Sequence, residues 1–215
     1  MNWIYKVKQI TSLYDSCNTC GLPIINCLCD KAPKIKTNAN IWILSTEKEF
    51  YRPSNTARIL KIVNPHSTEI FLWERTKIPE KLVANINNEI YEPFLLFPIE
   101  NCEAALRKVE YKRTGKIPVF IIIDGTWKEA RKIVRRSAYL EKLPIISLNP
   151  SFKSKYDLRR GAVDGNLCTI EAAIEVLKLN REIESAQVVN TFYNLFLKSY
   201  KAGSSGHELS PSNKN

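Results

Sequence analysis

Residues 121–131 read IIIDGTWKEAR, and this stretch decides the fold. The three β-branched apolar residues at its start predict a short buried strand. Gly125 ends that strand, and the residues after it favour a helix. The carboxyl group of Asp124 is therefore expected at the carboxyl end of a strand, facing a helix start, where open α/β sheets bind ligands. The local pattern leaves two roles open for Asp124: a ligand contact or a helix cap.

Similar apolar runs recur along the chain. They predict strands at 41–45, 69–73, 93–97, 119–123 and 145–148. Apolar residues at helical spacing predict helices at 56–63, 100–108, 127–136, 169–180 and 186–201. The polar segment 47–54 predicts a loop. Because the apolar runs are continuous rather than alternating, we expect strands buried on both faces. The sequence therefore predicts an α/β fold with a mostly parallel sheet covered by helices.

The composition is that of a soluble globular protein, since 44% of the 215 residues are hydrophobic and 25% are charged. No apolar run reaches the length of a membrane span and no signal peptide is apparent, so we expect a cytoplasmic protein without a membrane partner. We expect an N-terminal module at 1–36, a main domain at 37–202 and a disordered tail at 203–215. The glycine patterns of dinucleotide-binding folds and P-loop NTPases are absent from the sequence.

Four of the six cysteines lie close together in the N-terminal module, in the pattern Cys-x2-Cys-x6-Cys-x-Cys. In a reducing compartment such a cluster indicates metal ligands rather than disulfides. Two short pairs separated by a turn predict a structural, tetrahedral Zn²⁺ site with no open position for a catalytic water. An iron–sulfur cluster and free or redox-active thiols are the alternatives. The predicted ligands are Cys17, Cys20, Cys27 and Cys29.

The formal net charge is +10, from 32 Lys and Arg against 22 Asp and Glu. An excess of this size favours a polyanionic partner, and the alternative is a solvated basic surface that keeps the protein soluble. Basic residues concentrate at 128–136 and at 151–160, close to the segments that carry the other signals. We therefore expect a phosphate-binding surface beside the ligand site.

Five segments, in the same order, resemble the DTW domain family. They are the cysteine cluster, RPSNTAR at 52–58 with TE before it at 46–47, FLLFP at 94–98, DGTW at 124–127 and LCTIEAA at 167–173. Cys168 stands where the family usually has Ser. Known members of the family are tRNA-uridine aminocarboxypropyltransferases, and their fold is related to the knotted SPOUT methyltransferases. The resemblance therefore implies a SPOUT-like sheet, in which a knot can occur.

The resemblance also implies a reaction. The 3-amino-3-carboxypropyl group of S-adenosylmethionine (SAM) is transferred to N3 of a uridine in tRNA, and methylthioadenosine is released. Asp124 is the expected general base for the N3 proton, because a carboxylate suits that task if its surroundings raise its basicity. Two alternatives remain: a SPOUT-type SAM-dependent RNA methyltransferase, and a zinc-containing RNA-binding module without catalysis.

The resemblance and the basic clusters give two further sets of residues. SAM contacts are expected from Leu96, Phe97, Pro98, Asp124, Gly125, Thr126, Trp127, Leu167, Cys168, Thr169 and Glu171. RNA contacts are expected from Arg52, Asn55, Arg58, Lys128, Arg131, Arg135, Lys153 and Arg159. Structural roles compete at several positions: Thr126 and Asn55 as helix caps, Trp127 as the apolar anchor of its helix, and Glu171 as a favourable charge at a helix start.

Overall fold

A sheet of five parallel strands forms the centre of the computed structural model, which describes residues 5–99, 102–148, 154 and 167–209. The strands are β1 (Asn40–Thr46), β2 (Thr68–Trp73), β3 (Tyr91–Leu96), β4 (Ile117–Asp124) and β5 (Ile145–Ile146). Their order across the sheet is β2-β1-β4-β3-β5, and every pair is parallel. The structure thus confirms the predicted α/β fold, although β5 is shorter than the predicted run 145–148.

Helices follow or connect the strands. In the described ranges they are α1 (Glu47–Phe50), α2 (Ala57–Val63), α3 (Glu80–Ile86), α4 (Cys102–Leu106), α5 (Trp127–Arg136), α6 (Thr169–Leu179) and α7 (Ile183–Ser204). The prediction of a loop at 47–54 is wrong for its first residues, which form α1. This helix has no sequence signal because it is one turn long, and burial of Glu49 and Phe50 holds it in place. The short helix α3 was not predicted either.

The two faces of the sheet carry separate hydrophobic cores. Phe120 and Ile122 of β4 contribute to one core, together with α2, α6 and α7. Val119 and Ile121 contribute to the other, together with α3 and α5. Alternate residues of one strand thus enter opposite cores, which explains why the strands read as continuous apolar runs.

The order of the strands creates a crevice between β1 and β4. The chain leaves β1 through α2 to reach β2 on one side, and it leaves β4 through α5 to reach β5 beyond β3 on the other side. Because α2 and α5 pack on opposite faces, the carboxyl ends of β1 and β4 are not covered by the same crossover. Such a switch point is where open α/β sheets bind ligands. Ser45 and Asp124 face each other there.

The N-terminal module packs on the sheet domain rather than standing apart. Cys20 and Leu22 belong to the same core as Phe196 of α7. The tail that was expected to be disordered from 203 onward is held against this module up to residue 209. The Asn26 side chain donates to the His207 carbonyl at 2.8 Å and accepts from the Leu209 backbone N–H at 2.8 Å. Residues 210–215 lie outside the described residues.

The knot that the SPOUT resemblance implies remains a prediction, because most of the chain between β5 and α6 lies outside the described residues. Within the described ranges, no helix has both the length and the hydropathy that a transmembrane helix needs.

Candidate active site

Asp124, at the end of β4, is the centre of a buried hydrogen-bond network. Its side chain is 3% exposed. Ser45 Oγ and Asn55 Nδ2 both donate to Asp124 Oδ2 at 2.7 Å, and Thr169 Oγ1 donates to Oδ1 at 2.6 Å. A carboxylate oxygen has about two lone-pair positions. The contacts in the described part of the chain therefore fill Oδ2 and leave one position on Oδ1.

Asn55 joins Asp124 to a second buried carboxylate. Its amide group donates to Glu49 Oε2 at 3.3 Å as well as to Asp124. Glu49 is 0% exposed, and Arg52 Nη1 donates to its Oε1 at 2.6 Å. The segment after β1 thus brings one acid and one partly exposed cation close to Asp124, with the Asn55 amide group between the two acids.

The start of α6 lies on the other side of Asp124. Its N-cap is Cys168, so Thr169 is the first helical residue and Glu171 stands at the third position. Glu171 is buried, and its Oε2 accepts from the Cys168 backbone N–H at 3.0 Å and from Ser154 Oγ at 2.6 Å. This is the carboxylate half of a capping box whose N-cap is Cys168, and α6 begins at Thr169 as predicted. It favours the structural role of Glu171.

Cys168 is a partly buried residue whose thiol packs against the core. Burial raises its pKa to about 12, and the charge of Glu171 acts in the same direction. The group is therefore protonated at neutral pH and is not a nucleophile. Its sulfur lies 3.4 Å from the hydroxyl of Tyr193 in α7.

The start of α5 shows a complete capping box. Thr126 Oγ1 accepts from the Glu129 backbone N–H, and the Glu129 carboxylate accepts from the Thr126 backbone N–H at 2.9 Å and from its hydroxyl at 2.7 Å. The structure thus gives the Thr126 side chain the role of a helix cap. Burial alone raises the pKa of Glu129, but the hydrogen bonds from Thr126 and the charges of Arg52 and Lys48 outweigh it, so the pKa is lowered overall.

The residues expected to bind SAM fall on both faces of the sheet. Leu96, Leu167 and Cys168 pack against the core on the α6 face. Phe97 and Trp127 pack in the core on the α5 face, with ring centroids 6.0 Å apart. Trp127 is thus an apolar anchor of its helix, in contact with the end of β3. The sheet edge between the two groups carries Asp124.

The residues expected to bind RNA separate into three groups. Lys128, Arg131 and Arg135 lie on the exposed side of α5, and Arg52 is partly exposed. Asn55 and Arg58 are 4% and 1% exposed and bind protein groups, so neither reaches a surface that RNA can contact. Lys153 and Arg159 lie outside the described residues.

Arg58 binds the cysteine module instead of a ligand. Its guanidinium donates to the backbone carbonyls of Asn18, Thr19 and Phe50 at 2.8, 3.3 and 2.8 Å. Basic residues near a ligand site are often exposed, which is why Arg58 was expected to contact RNA. The sequence gives no signal that carbonyls of distant residues accept hydrogen bonds from Arg58.

The four cysteine sulfurs are arranged as a metal site requires. All four lie within 4.8 Å of one another, with Cys17 and Cys29 3.7 Å apart and Cys20 and Cys27 3.8 Å apart. A tetrahedron with Zn–S bonds of about 2.3 Å has sulfur–sulfur separations of about 3.8 Å. Hydrogen bonds among the crowded thiols lower the pKa of Cys17 and raise that of Cys20 to about 12. The donor set therefore fits Zn²⁺, with two sulfur–sulfur separations close to those of a tetrahedral site and all others within 4.8 Å.

Several residues of the network were missed from the sequence. Ser45 directly follows an apolar run, as Asp124 does. A polar residue in that position could have predicted that Ser45 belongs to the site. Glu49 and Tyr193 have no local signal, because their roles depend on contacts across the fold. Trp73, at the end of β2, has Lys132 of α5 5.9 Å from its ring centre and adds an aromatic group beside the basic face.

Known proteins resemble the chain over most of its length. The DTW domain family matches residues 14–201, which include the cysteine cluster, the sheet and most of α7. The chain is 26% identical over 168 residues to a protein of Drosophila melanogaster named tRNA-uridine aminocarboxypropyltransferase 2. That match covers 76% of this chain and 65% of the relative, so the chain spans less than two thirds of the relative's length. No solved structure matches the chain significantly.

Proposed function

The chain belongs to the DTW domain family, and we propose that it transfers the 3-amino-3-carboxypropyl group of SAM to N3 of a uridine in tRNA. The relative's name supports a reaction of this type. The proposed products are the modified tRNA and methylthioadenosine.

One observation carries this proposal: three of the segments that resemble the family converge on one carboxylate. Asn55 belongs to the RPSNTAR segment, Asp124 to DGTW and Thr169 to LCTIEAA, and both Asn55 and Thr169 donate to Asp124. The three segments are far apart in the chain. They meet at the switch point of the sheet, where α/β proteins bind ligands.

The residues present fit a nucleoside that carries an amino-acid group. Phe97, Trp127 and Leu96 supply apolar surface near the sheet edge. Thr46 Oγ1, at the carboxyl end of β1, is buried and has no hydrogen-bond partner in the described ranges. A buried hydroxyl of this kind is usually satisfied by a water or ligand. When bound, SAM supplies a sulfonium leaving group, so the protein has mainly to position the reactants.

Asp124 is the residue that we propose as the proton acceptor. In the transfer, a bond forms between N3 and Cγ of the methionine portion of SAM, and the bond from Cγ to the sulfonium sulfur breaks, which releases methylthioadenosine. The N3 proton must also leave. Ser45 and Asn55 fix Oδ2 of Asp124, and Thr169 binds Oδ1. The remaining position on Oδ1 receives the proton. Removal of a proton by a positioned base contributes a factor of roughly 10²–10⁴ to a rate.

The exposed face of α5 is the surface that we propose for the tRNA backbone. Five basic side chains on it are exposed: Lys128, Arg131, Lys132, Arg135 and Arg136. The helix begins two residues after Gly125, so the basic face starts beside Asp124. Phosphates bound there would bring a nucleotide towards the switch point, and their counterions would be released.

Product analysis tests the proposed reaction. The protein is incubated with SAM and unmodified tRNA, and both the digested nucleosides and the small molecules are identified by mass spectrometry. We expect a uridine that carries an aminocarboxypropyl group and an equal amount of methylthioadenosine. A methylated nucleoside with S-adenosylhomocysteine would instead show a methyltransferase. Binding of tRNA without consumption of SAM would show a binding module.

A further inference from the structure

Arg58 is a buried cation that holds the first half of the metal site. Its guanidinium donates to the carbonyls of Asn18 and Thr19, which are the two residues between the first pair of cysteines, and to that of Phe50. A planar guanidinium has several donors in fixed directions, so it can bind separate carbonyls at once. The position of the Cys17–Cys20 turn and the position of α2 are therefore linked through one side chain.

The same residue is linked to Asp124. The backbone N–H of Arg58 donates to Asn55 Oδ1 at 3.3 Å, and Asn55 Nδ2 donates to Asp124 Oδ2 at 2.7 Å. A displacement of Arg58 therefore moves the start of α2, and with it the amide group that holds one oxygen of Asp124. Three successive contacts join the cysteine site to the switch point of the sheet.

The buried charge of Arg58 also lies near both sites. Burial lowers the pKa of Arg58 to about 10, and the charges of Cys20, Cys17 and Asp124 act against this change. A buried cation requires negative partners. Four thiolates around Zn²⁺ have a net charge of about −2, so the loaded cysteine site is one partner and Asp124 is the other.

We infer that Arg58 couples the cysteine metal site to the Asp124 site. Bound metal holds Arg58 and Asn55 where Asp124 needs them, and the groups around Asp124 help to retain the metal in return. Energetic coupling of this kind is reciprocal. Arg58 is a positioning residue, because it is buried and reaches Asp124 only through Asn55. The coupling between the two sites is independent of the reaction proposed above, and only the SAM measurement below rests on that proposal.

Zinc release tests the coupling without any assay of catalysis. Zinc-loaded full-length protein is mixed with a chromophoric chelator, and the release rate is measured for wild type, Arg58→Lys, Asp124→Ala and the double variant. Lysine keeps the charge but cannot bind all three carbonyls. We expect each single variant to release zinc about tenfold faster, a typical coupling factor. We expect the double variant to release zinc no faster than the faster single variant, because both substitutions interrupt the same series of contacts between the cysteine site and Asp124.

Lys61→Met is the matched control. Lys61 lies on the same helix and its ammonium group also donates to backbone carbonyls, those of Pro65 and Thr68, but it has no contact with the cysteine module among the described residues. We expect this variant to lose thermal stability and to release zinc at the wild-type rate. Equal release rates for Arg58→Lys, Asp124→Ala and Lys61→Met would overturn the inference. So would effects that multiply in the double variant.

A measurement on unmutated protein completes the test. Saturating SAM should slow zinc release from wild type several-fold, and this effect should disappear in Arg58→Lys. If calorimetry shows that SAM does not bind wild type, the proposed function fails, whereas the comparison of release rates still decides the coupling. If SAM binds and leaves zinc release unchanged, the coupling is contradicted and the proposed function stands.

Discussion

Ser45 Oγ donates a 2.7 Å hydrogen bond to Asp124 Oδ2, and the two residues face each other across β1 and β4. This bond spans the point at which the crossovers of the sheet diverge. An apolar pair at the same place would complete the core, and a polar pair is stable there because Asn55 and Thr169 also donate to the Asp124 carboxylate. The topology and the polar network thus indicate the same site.

Replacement of Asn55 tests the amide group that separates the two buried acids. Asn55→Ala removes donors to Glu49 and Asp124, and an unsatisfied buried group costs about 1–3 kcal/mol. Asn55→Asp removes the same donors and adds a third carboxylate, so we expect a larger loss of unfolding free energy in urea. Asn88→Asp is the control, because Asn88 is exposed and its side-chain oxygen accepts a bond from the Ile90 backbone N–H that Asp can also accept. Similar losses for Asn55→Asp and Asn88→Asp would contradict the buried network.

The cysteine site should hold about one Zn²⁺ per chain, since its four sulfurs lie within 4.8 Å of one another and four thiolates suit a structural zinc site. We expect Cys17→Ser combined with Cys20→Ser to lose the zinc and to lower Tm by several degrees, because binding of a structural metal contributes to folding. Cys168→Ser, outside the cluster, should retain zinc. Metal analysis and thermal unfolding of the same preparations check both statements. A zinc-free wild type with unchanged Tm would contradict the assignment.

Charge reversal on α5 tests the RNA surface. Arg131→Glu with Arg135→Glu should weaken tRNA binding for all tRNA sequences alike and reduce the salt dependence of the affinity, because phosphate contacts carry no sequence information. Arg113→Glu with Lys116→Glu changes the net charge equally in the exposed loop before β4, at the opposite edge of the sheet. Titrations at several salt concentrations should show a much smaller effect for this control. Equal weakening by the two pairs would mean that only net charge matters.

The pH dependence of stability tests the cap of α5. The pKa of Glu129 is lowered in the folded state, so its carboxylate stabilises the fold above its ordinary pKa of 4.5, and this contribution is lost as the pH falls through the lower folded value. Glu129→Gln should therefore lower Tm at neutral pH by a few degrees, which corresponds to about 1 kcal/mol. The difference from wild type should shrink below about pH 4. The exposed Glu141→Gln is the control. A difference for Glu129→Gln that does not change with pH would argue against the cap.

Much of the fold could be predicted because its signals are local. The run before Asp124 and the helix after Gly125 depend on neighbouring residues, and both appear as predicted, as β4 and α5. The helix α1 could not be predicted, because its stability comes from the burial of Glu49 beneath Arg52 and Asn55.

The site was predictable where a polar residue ends a strand and not where a side chain binds distant groups. Asp124 met the first condition. Arg58 and Asn55 lie in a polar segment of the kind that often binds ligands. In the fold, however, Arg58 binds carbonyls of the cysteine module and Asn55 binds the Asp124 carboxylate. Burial of a cation is decided by such tertiary contacts, which spacing in the sequence does not contain.

Asp124→Asn tests the central claim most directly. Asn has nearly the same shape, and the Thr169 hydroxyl can turn to accept from its amide group, so folding and SAM affinity by calorimetry should remain within a few-fold of wild type. The rate of aminocarboxypropyl transfer to tRNA under single-turnover conditions should fall by roughly 10²–10⁴, the effect of losing a positioned base. A transfer rate close to that of wild type would contradict the role of Asp124 as the proton acceptor.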